Sequence, residues 1–160
     1  MIFKTLWRKK PKLDDKSSEI INNSDKFNFK TTVETRFSDF DMMGHVNNAV
    51  YFTYLENART RYWQEIVKWD WKKTGIVLAH AELDFIKPVL LHEKISIYVR
   101  TVRIGRSSFE LEYKIVKNSN GSDEVCSTGK TTCIAVSYQD KRPTEIPAEE
   151  RLRMINFEQL

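Results

Sequence analysis

Residues 39–59 read DFDMMGHVNNAVYFTYLENAR, and the way this stretch divides decides the fold. Its first ten residues hold Asp39, Asp41, Gly44, His45, Asn47 and Asn48, a composition that suits a shaped loop. From Val50 onward the pattern changes. Val50, Tyr51, Tyr54, Leu55, Ala58, Tyr62, Ile66 and Trp69 recur at steps of three and four, which predicts an amphipathic helix of about five turns with one apolar face. Asn47 and Asn48 are good N-cap residues at its start. Gly44 allows the sharp turn that brings the chain into it.

Working outward, the flanks read as strands. FKTTVETRF (29–37) is β-branched and aromatic enough for a first one. GIVLAHAELDFIKPV (75–89) ends at Pro88, ISIYVRTVRI (95–104) and SFELEYKIV (108–116) alternate apolar with polar, and VCSTGKTTCIAVSY (125–138) is the last. NSNGSD (118–123) is a turn, and Gly105 marks a turn or bulge between two strands. The order is strand, long helix, then four antiparallel-looking strands. One helix must serve a whole sheet face, so the sheet wraps around it or leaves its other face for a partner. An α+β hotdog fold, a long sheet curled around one central helix, meets that requirement. We expect a single such domain over 29–140, after a polar and basic N-terminal extension (1–28) and before a C-terminal tail (141–160).

A chain of 160 residues suits one domain, and 41% hydrophobic residues are enough to build its core. Lys and Arg exceed Asp and Glu by 26 to 22, for a pI near 9.0. That excess helps a phosphate-bearing ligand approach but falls short of the basic stripe of a nucleic-acid binder, and no nucleic acid is expected. Cys126 and Cys133 share a strand, where seven steps of ~3.3 Å hold them roughly 23 Å apart, so both are expected as free thiols. No Cys/His spacing points to a metal. No run approaches the length of a membrane span, and MIFKTLW is too short and too interrupted for a signal peptide. The cytoplasm is the expected location. Ile2, Phe3, Leu6 and Trp7 fall at helical spacing beside Lys4, Arg8, Lys9 and Lys10. Two readings stay open for this extension: a mobile segment, or weak contact with an anionic membrane or a partner groove.

Arg36-Phe37-x-Asp39-x-Asp41-x-x-Gly44-His45-Val46-Asn47-Asn48-x-x-Tyr51, followed by Glu56 and Ala58-Arg59, resembles the signature of the hotdog acyl-CoA thioesterases of the 4-hydroxybenzoyl-CoA thioesterase type. It is also similar to the fatty acyl-ACP thioesterases, which share an HVNN core. The likeness covers 29–140 and is strongest over 36–59. Thioester hydrolysis needs a nucleophile or base and an electrophilic grip on the carbonyl oxygen. The resemblance implies that Asp41 is that nucleophile or general base, and that the backbone N–H of Asn48 at the helix start polarises the carbonyl. It implies an acyl substrate linked to CoA or ACP, no metal or redox cofactor, and homodimers or homotetramers with sites at the interface.

The remaining residues divide between chemistry and structure. Asp39 reads as structural, paired with Arg36 or capping the loop. His45 ranks second to Asp41, as an orienting or water-positioning residue. The acyl-ACP enzymes carry Asp-x-Asn-x-His here, whereas this chain has Met43 at the middle position. Asn47 and Gly44 shape the helix start, Gly44 as part of the catalytic set and Asn47 as a candidate substrate-binding residue. Tyr51 and Tyr54 share a helix face, and core packing and lining an acyl tunnel are both open to them. Glu56 reads as holding Arg59 or a neighbouring strand, and Arg59 and Arg61 as a solvated helix face. Arg106, Ser107 and Ser108, with Arg100 and Arg103, cluster at the Gly105 turn, where two readings stay open: an ordinary solvated strand edge, or a phosphate clamp, since guanidinium groups match phosphate oxygens. His80 and His92 receive no function. A non-catalytic acyl-binding protein of the same fold is the rival from another class.

Overall fold

A computed structural model describes residues 26–119 and 121–160. The chain runs through Phe29–Val33 (β1), a 3-10 turn Phe37–Asp39, the helix Asn48–Tyr62 (α1) with a π-helical turn Trp63–Val67, then Thr74–Phe85 (β2), Ile95–Ile104 (β3), Ser108–Ser119 (β4), Ser122–Ser137 (β5) and Ala148–Glu158 (α2). The five strands form one sheet in the order β1-β3-β4-β5-β2, every neighbouring pair antiparallel. This is the hotdog arrangement. Most of the basic extension, residues 1–25, lies outside the described residues, and so does its proposed membrane contact. Its last part is docked: Phe27 lies under the Arg100 guanidinium and the Lys114 ammonium, and the Asn28 side chain donates to the Phe157 carbonyl at 3.1 Å.

The helix forms where the three-four spacing puts it. Tyr51, Tyr54, Leu55, Ala58 and Tyr62 are its buried residues, and they meet the alternating inward set Ile95, Ile97, Val99 of β3 and Phe109, Leu111, Tyr113, Ile115 of β4. Burying large side chains of this kind stabilises by about 1.5–3 kcal/mol each, before entropy is counted. The π turn carries Trp63 and Val67 into the same core. It ends at Lys68, whose positive φ of 52° closes the helix with an N–H bond back to the Trp63 carbonyl.

β2 is an edge strand of 12 residues. It pairs with β5 on one side only, and Val77 and Leu78 are 49% and 41% exposed on it. β5 approaches it so closely that a Cβ on Gly129 would stand 2.7 Å from the Glu82 carbonyl oxygen, so this position takes no side chain without moving backbone.

Three boundaries differ from the sequence reading. β1 ends at Val33 and not at residue 37, because Asp39 folds the chain back: its carboxylate accepts the Arg36 backbone N–H at 2.7 Å and closes the 3-10 turn. β2 stops at Phe85 and not at 89, since the N–H groups of Ile86 and Lys87 turn to the Cys126 carbonyl. The polar residues around 118–123 still pair, Asn118 with Asp123, so the β4–β5 turn is tighter than expected.

The segment after residue 140 carries an element that the sequence reading did not place, α2. Its Met154 is fully buried, Glu150 accepts the Asp70 N–H at 3.2 Å, and Arg153 donates to the Val67 carbonyl at 3.1 Å. Glu158 accepts from the Tyr62 hydroxyl at 2.8 Å and from the Thr101 N–H at 3.1 Å. Burial pushes the Glu158 carboxyl above the usual range, against the opposing pull of those two hydrogen bonds. A carboxyl whose folded pKa is raised favours the fold below its unfolded pKa and loses that contribution as pH rises through the folded value. Glu158→Gln, which keeps both acceptor contacts without the charge, is therefore expected to melt above the wild type at pH 7. Melting curves at intervals from pH 7 to 4 should show the gap closing as the native carboxyl protonates.

Candidate functional site

The loop between the 3-10 turn and α1 is a small, fully wired structure. The Asp41 N–H donates to the His45 carbonyl at 2.9 Å, and the Gly44 N–H returns to the Asp41 carbonyl at 3.0 Å. Gly44 sits at φ 74°, which a side chain would resist. Asp41 Oδ1 accepts two backbone N–H groups, from Met43 at 2.8 Å and His45 at 3.4 Å. Its Oδ2 has no protein partner among the described residues. One carboxylate oxygen thus anchors the loop and orients the other toward solvent.

The loop is tied to the sheet at a defined end. The Val46 N–H bonds the Val89 carbonyl at 3.0 Å, His45 bridges to Leu90, and the Tyr51 ring stands edge-on to Phe85 at 5.1 Å. Asp41 therefore lies at the end of the sheet where β2 finishes and β3 begins. The His45 ring makes no hydrogen bond among the described residues and is partly exposed.

The helix start supplies donors. The Asn47 side chain caps α1 by accepting the Ala49 N–H at 2.9 Å, and the Asn47 carbonyl takes the Val50 N–H at 2.9 Å. The Asn47 N–H bonds the Asp39 carbonyl at 2.8 Å. That leaves the N–H of Asn48, the first residue of α1, with no protein partner among the described residues, at the positive end of the helix dipole.

Asp39 and Tyr54 form the structural half. The Tyr54 hydroxyl donates to Asp39 Oδ2 at 2.7 Å. Burial first, then the Asp39 carboxylate, pushes the Tyr54 phenol well up, so it stays a donor. The pairing of Asp39 with position 36 runs through the Arg36 backbone, leaving its guanidinium outward. Tyr51 and Tyr54 are each 3% exposed and turn into the core. Asp41 is consequently open on the single chain and not enclosed by these rings. Around the loop stand exposed apolar side chains, Met42, Met43, Phe52, Leu90 and Leu91, of which the sequence reading named Met43 alone. The methionine pair inside a polar loop was the signal available for them.

The phosphate-clamp candidates are not brought to Asp41. The Arg106, Ser107 and Ser108 turn follows the far end of β3, ten residues long, roughly 30 Å from the loop at ~3.3 Å per residue. Arg106 faces Glu145 there at 3.4 Å, both side chains largely exposed. Arg59 leaves the solvated face predicted for it, whereas Arg61 stays exposed on it. Arg59 lies 5.9 Å over the Trp63 ring and reaches the Tyr113 hydroxyl, and Arg61 bonds Thr31 Oγ1 at 2.7 Å and the Thr32 carbonyl at 3.0 Å. Glu56 forms no pair with Arg59. Among the described residues no group of three or more His, Cys, Asp or Glu side chains converges as a metal site, and no helix is long and apolar enough to cross a membrane.

Comparison with known proteins agrees with this fold. The sequence profile of the Thioesterase-like superfamily matches residues 35–153. The uncharacterized protein YsmA of Bacillus subtilis is 33% identical over 131 residues, covering 81% of this chain and 87% of that protein. A 1,4-dihydroxy-2-naphthoyl-CoA hydrolase of Gloeothece citriformis is 35% identical over 73 residues, 46% of this chain and 50% of its own. Among solved structures, a Thermus thermophilus thioesterase complexed with coenzyme A and zinc superposes with a TM-score of 0.71 at 36% identity, over 84% of this chain and 96% of that one. The PA5185 protein of Pseudomonas aeruginosa gives 0.75 at 26% identity, over 82% and 92%.

Proposed function

Since the chain belongs to the thioesterase-like superfamily, which its match over residues 35–153 establishes, we propose that it hydrolyses an acyl-CoA thioester to a carboxylic acid and CoA. One observation carries the reading: the unpartnered N–H of Asn48 at the start of α1, in the same short loop-to-helix unit as a carboxylate with one oxygen anchored and the other free. The free oxygen, Asp41 Oδ2, removes a proton as water adds to the thioester carbonyl. The negative charge that develops on the carbonyl oxygen is received by the Asn48 N–H, with the helix dipole behind it. The C–S bond then breaks, and the proton held by Asp41 passes to the departing thiolate. In the nucleophilic variant Asp41 Oδ2 itself displaces the thiolate, and water hydrolyses the resulting anhydride. His45 positions the water, and Gly44 and Asn47 hold the loop and the cap.

The exposed apolar side chains of the Asp41 loop, the first turns of α1 and Leu90–Leu91 support an acyl group or a second subunit as their cover, because apolar side chains left exposed near one end of a sheet are candidates for an interaction site. We propose that two copies pair along β2, whose free edge shows Val77 and Leu78; an unprotected apolar edge is a template for another strand. A twofold, antiparallel pairing of β2 sets the start of one strand against the end of the other. Only across such a pair does the Arg106–Ser108 turn of one copy come to the Asp41 end of the other. Two free, buried thiols fit a reducing compartment, and we place the activity in the cytoplasm.

A thiol-release assay on a panel of acyl-CoA and acyl-ACP substrates tests the reading. Turnover of CoA thioesters is the expected result. Turnover of ACP thioesters alone would move the substrate to the other carrier. Stoichiometric binding of acyl-CoA without turnover would replace the hydrolase by the acyl-binding protein.

A further inference from the structure

The arginines of this fold are not treated alike. On the sheet, Arg100 pairs with Glu112 and Arg103 with Glu110, and on α2 Arg153 pairs with Glu149. Arg36 and Arg61 have no carboxylate partner among the described residues, yet they stand together. Both line a cleft of about 550 Å³ between the chain leaving β1 and the outer face of α1, where Asn57, Thr60 and Gln64 add amide and hydroxyl groups and Glu34 is the one acid. Arg61 is held by Thr31 Oγ1 and the Thr32 carbonyl. These are neutral acceptors, which orient the guanidinium without cancelling its charge. Arg36 binds Asp39 through its backbone N–H, leaving its side chain exposed, with its charge felt at the Tyr54 hydroxyl that donates to Asp39.

Two guanidinium groups against one lining carboxylate, backed by neutral hydrogen-bonding side chains in a concave polar site, match phosphate oxygens better than any apolar group. The cleft adjoins the 3-10 turn that leads directly to Asp41. We propose that it holds the phosphate groups of the substrate's carrier, the phosphoester end of a pantetheine arm, which CoA and ACP thioesters share. The inference rests on the thioesterase reading and adds where the carrier sits. It puts the phosphates on the same chain as Asp41, unlike the Arg106–Ser108 turn.

The full chain is titrated calorimetrically with CoA, dephospho-CoA and pantetheine, and KM is measured for one acyl group carried on CoA, on ACP and on pantetheine. Arg36→Ala, which keeps the backbone N–H used by Asp39, is expected to lower the preference for CoA over pantetheine about tenfold in both measurements. Arg36→Glu should lower it further. Arg61→Lys, which keeps the charge but not the planar fork, should lower it less. A matching loss on the ACP thioester assigns the cleft to the pantetheine phosphate, and a loss on CoA alone assigns it to the nucleotide phosphates. Wild-type preference in Arg36→Glu overturns the proposal, as does a loss seen in Arg106→Ala and not in the Arg36 variants. If no thioester is turned over by wild type, the hydrolytic reading falls while the titration alone still decides the cleft.

Discussion

Asn48→Pro is expected to lower kcat by about 100- to 1000-fold, the loss seen when one oxyanion donor is removed, while the fold stays intact. Proline is a severe substitution almost anywhere else in a helix. At the first helical position it is well tolerated, because the N–H it lacks has no intrahelical partner and its fixed φ suits the helix. The preceding residue must be extended, and Asn47 already is, with ψ at 137°. The Asn48 N–H bonds no protein group among the described residues, so its deletion costs the folded chain nothing that the structure shows. A melting temperature within a few degrees of wild type together with the kinetic loss is the expected pair of results. Asn48→Ala, which keeps the N–H, should retain most activity. If Asn48→Pro turns over normally, the carbonyl is polarised elsewhere.

Asp41→Ala is expected to lose about 100-fold or more in kcat, the contribution of a positioned general base or nucleophile. It also removes the acceptor that Met43 and His45 share, so activity loss alone leaves chemistry and loop shape mixed. Asp41→Asn separates them. The amide oxygen can still accept both N–H groups, while the other atom is no longer a base. We expect Asp41→Asn to lose nearly as much activity as Asp41→Ala and less thermal stability. An Asp41→Asn variant with wild-type rates would show that Asp41 shapes the loop and does no chemistry. His45→Ala should cost less than either, since the ring makes no hydrogen bond among the described residues and the loop is held by its backbone.

The sequence was most informative where one periodicity answered to one surface. The three-four spacing of α1 and the alternation of β3 and β4 face a single core, and these elements lie where the pattern puts them. It was least informative where a distant contact decides. Nothing in Thr35 or Arg36 announces that β1 must stop; Asp39 stops it, with the Tyr54 hydroxyl holding Asp39 in place from the helix. α2 has a weak apolar pattern and is fixed by Glu150, Arg153 and Glu158 to remote backbone groups. In the site, the separation of Asp39 from Asp41 was legible, because one precedes the loop and the other shapes it. The orientation of Tyr51 and Tyr54 was only half legible. Spacing says that they share a face, but not that Phe85 and Asp39 would claim them. Arg59 was misjudged for a related reason, since spacing puts it on the solvated face and only packing shows that it lies over the Trp63 ring.

Cys126 and Cys133 are the chain's two thiols, both buried, with burial pushing each up and Cys133 to about 11. Disulfide reagents are attacked by thiolate, and a thiol that is buried and pushed up by that burial offers the reagent little thiolate and no access. The folded protein is therefore silent to the chromogenic disulfides that report released CoA. Any slow colour that appears without substrate measures the opening of the β4–β5 core, which turns the same reagent into a clock for native-state unfolding.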